Sequence, residues 1–203
     1  MRRRRLLPLL GRWAAELLLV FLGAYAAFWL SNHQERQQEA RRRDQILAAL
    51  EQQVSADLEA AKAERQRQAA IEAEFRRALE AGEMPPLKPF SYSSDYSPTD
   101  TATLLQSGGY QLLDVKTLVA LRQLESTMRG GLSTFAHAQQ LSDQMIVPNL
   151  DQDPSFFYDP ETKQLRKRFA HYAKALQAFQ AFFDDYIKAQ TDLLLQIRAE
   201  RQR

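Results

Sequence analysis

The side chains able to do acid, base or metal chemistry in this chain are few and dispersed. Its three histidines, His33, His137 and His171, stand far apart. None has a second histidine or a carboxylate at the HExxH spacing that sets two ligands on one helix face. His137 and His171 sit among apolar neighbours, which predicts residues at the edge of a core. Asp184-Asp185 offers adjacent carboxylates, the types used for cation binding or for a paired acid and base. Consecutive helical residues point about 100° apart, however, so this pair predicts a solvated face. There is no GxSxG elbow, glycine-rich phosphate loop or Walker lysine. Cysteine is absent, which removes disulfides, thiol nucleophiles and thiolate metal sites and leaves the compartment open. The chain is therefore expected to carry no catalytic residue, no metal and no cofactor; an enzyme would need a site assembled from dispersed residues with perturbed acidities.

The elements around these residues are more informative. The eighteen residues from Trp13 to Leu30 form an apolar run with a tryptophan at each end. As a helix they would cover about 27 Å, close to the roughly 30 Å of a bilayer's hydrocarbon core, with Trp13 and Trp29 suited to its interfaces. A single transmembrane helix over 13–30 is predicted. The formal net charge of +2 conceals two arginine clusters, Arg2 to Arg5 and Arg41 to Arg43. Flanking a membrane segment, these read as topology signals or lipid-headgroup contacts and not as a nucleic-acid site.

Five arginines precede the run and four follow closely, so their count alone is nearly balanced. A short arginine-rich tail is hard to translocate, whereas a long domain crosses largely regardless of charge. The expected orientation has residues 1–12 cytoplasmic and the following domain periplasmic, in a bacterial inner membrane. Ala24-Tyr25-Ala26 also reads as a signal-peptidase site, but the apolar run continues to Leu30 and is interrupted by Glu16. Glu16 is either an interfacial anchor or a contact with a partner helix, and Gly23 and Ala27 have the small-xxx-small spacing that lets another helix approach.

Beyond the run the vocabulary is helical, rich in Ala, Leu, Gln, Glu and Arg, with no alternating strand pattern. Residues 31–45 are polar all round and predict a helical stalk. An apolar stripe begins at Ile46 and continues through Leu47, Leu50, Val54, Leu58 and Ala61, then Ile71, Phe75 and Leu79, with a polar gap at 65–68. Gly82 followed by Pro85-Pro86 predicts the stop.

A loop over 83–96 leads to a short helix opened by Ser97-Pro98 and closed by Gly108-Gly109. Asp114 is then placed to cap a helix that ends before Pro148, with Gly130-Gly131 in its middle predicting either a kink or the close approach of a neighbour. The last helix is expected to run from Leu165 through Phe169, Tyr172, Leu176, Phe179, Phe183, Tyr186, Leu193 and Ile197. That is a heptad seam broken only by Gln190. From its first turn, after a loop over 151–160, to Ile197 this helix covers about 36 residues, which matches the stretch from Ile46 to Gly82, and equal lengths predict antiparallel pairing in a roughly four-helix, all-α bundle over 46–203.

Two stretches carry a family likeness. Glu16 to Val20 with Gly23, Ala26 and Asn32, and Leu104 to Gly108 followed by Leu112, Leu113, Asp114 and Leu118, resemble a bacterial family of single-span membrane proteins of unknown function. With Pro148 the resemblance spans nearly the whole chain. His33 stands where that family usually has an aromatic residue. The resemblance implies membrane anchorage and a helical outer domain, and implies no activity.

The functional expectation is a non-enzymatic interaction or scaffold module in the cell envelope, binding another envelope protein or a second copy of itself. Candidate partner-binding residues are Phe156, Phe157 and Tyr158 in one loop and Phe90 and Tyr92 in another, which either cap the end of the core or offer a recognition surface. A ligand-sensing bundle acting through a partner is the alternative, and a defined apolar pocket would favour it.

Overall fold

The structure is a computed structural model that describes residues 6–90, 105 and 109–203, with side chains described from residue 17 onward. The described residues are helical, with one isolated bridge and no sheet. Three long helices dominate: α1 (Leu6–Glu80), α2 (Val115–Met145) and α3 (His171–Arg201). The chain divides into two compact units, Met1–Gln45 and Ile46–Arg203, with the boundary inside α1.

Over residues 17–30 of the first unit, α1 is apolar on all sides. From Leu17 to Leu30 its large apolar side chains are between 51% and 70% exposed, Phe21, Tyr25, Phe28 and Trp29 among them. The composition changes at Ser31, where polar pairs at helical spacing take over. The His33 ring stacks on Trp29 at 5.5 Å, and its Nε2 is 3.0 Å from the Gln37 amide. Among the described residues no helix is long and apolar enough to cross a membrane. The expected transmembrane helix over 13–30 is thus not an established element, and the side chains of Trp13 to Glu16 lie outside the described ones.

In the second unit most of the apolar stripe of α1 becomes core, while Ile71 stays exposed. Leu47, Leu50, Val54, Leu58 and Ala61 pack with Leu121 and Leu124 of α2 and with Phe183, Tyr186, Leu193 and Ile197 of α3. Leu105 is also buried there, while the rest of the short helix expected over 97–107 lies outside the described residues. A second cluster, Leu87, Ile146, Phe157, Tyr158, Phe169, Tyr172 and Leu176, is joined by Phe75 and Leu79. The polar gap of the stripe falls where α1 passes from one cluster to the other. There Arg65 pairs with Asp184 at 3.0 Å, and Gln68 bonds Glu64 at 2.7 Å.

Helices α1 and α3 run antiparallel. Glu51 meets Arg198 and Arg201, Arg65 meets Asp184 and Glu72 meets Gln180, so partner numbers fall on α3 as they rise on α1. Helix α1 stops as its residues require. Gly82 adopts φ +71°, Glu83 N–H donates to Ala78 O at 2.9 Å and Gly82 N–H to Leu79 O at 3.0 Å, a Schellman ending that a β-carbon would strain.

Helix α2 is continuous through both central glycines. Of the two expectations for that pair, close approach is what occurs: the Phe182 ring occupies the space of a β-carbon at Gly131, while nothing lies within 4 Å of one at Gly130. Helix α3 begins at His171 and not at Leu165. Between Phe157 and His171 the backbone finds other partners. Asp159 takes the N–H groups of Glu161 and Thr162 at 3.0 and 2.9 Å, Tyr158 bridges Leu165, and Lys163 sits at φ 55°. Such an Asx turn competes with helix, so Phe169 enters the core from a short 3-10 turn, Lys167–Phe169.

Candidate interaction surface

The aromatic residues collect at the end of the compact unit where α1 stops. The 3-10 turn Pro154–Phe157 and the bridge at Tyr158 carry Phe157 and Tyr158 into the core, 3% and 0% exposed. The Tyr158 hydroxyl donates to Pro85 O at 2.6 Å, and the Tyr172 hydroxyl accepts from Lys88 N–H at 3.2 Å, so two phenols pin the segment after α1. Burial pushes both hydroxyls above the ordinary tyrosine range, with Tyr172 adding to the effect on Tyr158. Phe90 is half-buried, stacked on Tyr172 at 4.9 Å and edge-on to Phe179 at 5.2 Å, while its N–H donates to the buried Ser142 hydroxyl at 3.0 Å.

Core capping therefore describes Phe157 and Tyr158, whose side chains have almost no surface to offer a partner. Phe156 is different. It is half-buried, edge-on to Phe157 at 5.4 Å, and leaves part of its ring to solvent beside Arg166 and Arg168. Tyr92 lies outside the described residues. Beside this cluster an open groove of about 770 Å³ runs between the end of α1 and the Pro85-Pro86 segment. Ile71, Phe75, Met84 and Tyr172 line it together with Glu74 and Lys88.

The opposite end of the unit is polar. Glu51 accepts from Arg198 at 2.8 Å and Arg201 at 2.5 Å, and these two guanidiniums hold its carboxyl below the usual range. Asp114 stands at the N-cap position of α2, but its side chain makes no capping bond. The buried Glu200 supplies the cap from α3, accepting from Asp114 N–H at 2.9 Å and from the Thr117 hydroxyl at 2.5 Å, while Asp114 pairs with Arg203 at 2.8 Å. Sequence reasoning missed this role because a contact across more than eighty residues leaves no local spacing.

No group of three metal-ligating side chains occurs among the described residues. His33 and His137 are exposed, so His137 does not sit at a core edge as its neighbours suggested; His171 is half-buried. Asp184 is engaged by Arg65, and Asp185 is exposed. In the first unit Gly23 has open space where a β-carbon would stand, and Ala27 is exposed; the Glu16 side chain lies outside the described ones. No protein family, curated protein or solved structure matches the chain.

Proposed function

We propose that this chain is a single-pass, membrane-anchored protein of the bacterial inner membrane. Its N-terminus is cytoplasmic, and its helical bundle acts in the periplasm as a non-enzymatic interaction or scaffold module. The observation that carries the reading is the exposure of every large apolar side chain from Leu17 to Leu30 on all sides of one helix. A helix apolar all round is stable when lipid or protein covers it, and ten such side chains in water would make an adhesive rod. With Trp13 to Glu16 the run reaches bilayer length.

Alkaline carbonate extraction tests the anchor. The full chain is expected to stay in the membrane pellet and a chain lacking residues 6–30 to be released; release of the full chain would overturn the reading. The groove beside α1 favours a second reading, a ligand-sensing bundle acting through a partner, because its volume suits a small molecule. A ligand that raises the unfolding temperature of the full chain, with the gain lost in Phe75→Ala, would support that alternative.

A further inference from the structure

The N-terminal end of α3 carries the wrong charge for its helix. Helix N-termini are positive and favour acidic neighbours. Here the first turn has no acidic residue, the cap position is Ala170 with no side-chain bond, and Arg166, Lys167 and Arg168 lead straight into it. Lys174 follows one turn later. Lys163 lies apart from this group, with its ammonium near Gly82 at the negative C-terminal end of α1. Arg166 is partly compensated by Asp159 and donates its Nε–H to Tyr158 O at 2.7 Å. Lys167 and Arg168 are exposed and make no ion pair among the described residues.

Arg168 is nevertheless held in place. Its guanidinium lies 4.7 Å from the centre of the Phe156 ring and 4.6 Å from that of Phe169, and Arg166 approaches Phe156 from 5.8 Å. A guanidinium resting against two neighbouring rings keeps its fork of donors while losing little entropy on engaging a carboxylate. At the same end, next to the buried Ile146, Val147 and Leu150 are 43% and 52% exposed. Pinned arginine, a half-exposed aromatic and scattered aliphatic surface is the composition of a protein-binding patch.

We propose that the segment Arg166 to Arg168, with Phe156, is the docking surface for an acidic, partly apolar segment of a protein partner. Carboxylates of that segment would neutralise both the helix terminus and the unpaired cations. The inference rests on the reading of the compact unit as an interaction module. Absence of any crosslinked protein in cells would remove that reading, whereas a partner retained after reversing these charges would remove this inference alone.

The direct test uses the full chain in neutral phosphatidylcholine nanodiscs and a fluorescent peptide of mixed Glu and Leu, read by anisotropy. Binding that weakens as salt rises is expected, with a loss of about tenfold in Lys167→Glu/Arg168→Glu. Arg168→Lys, which keeps the charge and loses the ring clamp, should fall between the two. Each variant should keep the wild-type circular dichroism. Lys167→Glu alone, at an exposed position, should still weaken the peptide. No binding, or equal binding by the charge-reversed chain, would overturn the proposal. So would charge-dependent binding of phosphatidylglycerol vesicles without binding of the peptide, which would assign the patch to lipid.

Discussion

Two adjacent glycines in α2 should respond unequally to the same substitution. At Gly130 a β-carbon would enter open space beside a shallow cavity of about 390 Å³, so Gly130→Ala receives the helix-propensity gain of about 1 kcal/mol without opposition. At Gly131 the same gain meets the Phe182 ring, which stacks on Tyr186 at 5.5 Å and tilts against Phe183 at 5.1 Å. Moving that ring disturbs both contacts, and overpacking of this kind costs about 1–3 kcal/mol. Gly131→Ala should therefore lie roughly 1–3 kcal/mol below Gly130→Ala in unfolding free energy. Guanidinium unfolding of the full chain in mild detergent, followed by circular dichroism, measures the difference; unchanged slopes would show that stability and not the unfolded state has moved. If Gly131→Ala equals or exceeds Gly130→Ala, the α2–α3 contact is not the one described.

Three further outcomes follow from the core. Gln190 is fully buried and neither amide atom is bonded among the described residues, so Gln190→Leu should stabilise the bundle by about 1–3 kcal/mol in the same assay; a loss would mean that the amide has a partner. Glu200→Ala removes the cap borrowed by α2 and strands the Asp114 N–H and the Thr117 hydroxyl, which should cost about 2 kcal/mol, whereas Glu51→Gln in the exposed ion pair should cost less than about 1 kcal/mol. Burial raises the Tyr158 and Tyr172 hydroxyls above their ordinary 10.0, so the neutral form is favoured in the fold. Their contribution is complete below that pH and is lost as pH rises beyond it. Tyr158→Phe should flatten the alkaline decline in melting temperature; an unchanged decline would place it elsewhere.

The helices were legible because their signals are local. Gly82 announced the end of α1, and the seam from Phe169 to Ile197 named residues that are buried. Gln190, the one misfit in that seam, is a buried amide with no bond among the described residues. What was not legible depended on distance or on competition between local structures. An apolar pattern continued back to Leu165, but the Asx turn at Asp159 took the backbone first, and α3 began at His171. Asp114 had the right type and place for a cap, yet Glu200 from the other end of the chain performs that role. The Phe156-Phe157-Tyr158 run read as one feature, although the bridge to Leu165 buries two of its members and leaves the first beside the arginines. Arg166 to Arg168 gave no signal of their own in the sequence, because the two rings against Arg168 come from Phe156 and Phe169 and their approach depends on the turn between them.

The proposed placement of an anchored bundle outside the cytoplasm is directly measurable, because the chain has no cysteine. A single cysteine at Thr162, an exposed turn position, would be labelled in intact cells with a membrane-impermeant maleimide able to reach the periplasm, with one at Arg3 as the counterpart. Labelling of Thr162→Cys in intact cells, with Arg3→Cys labelled only after lysis, is the result expected. Protection of Thr162→Cys until lysis would contradict the account.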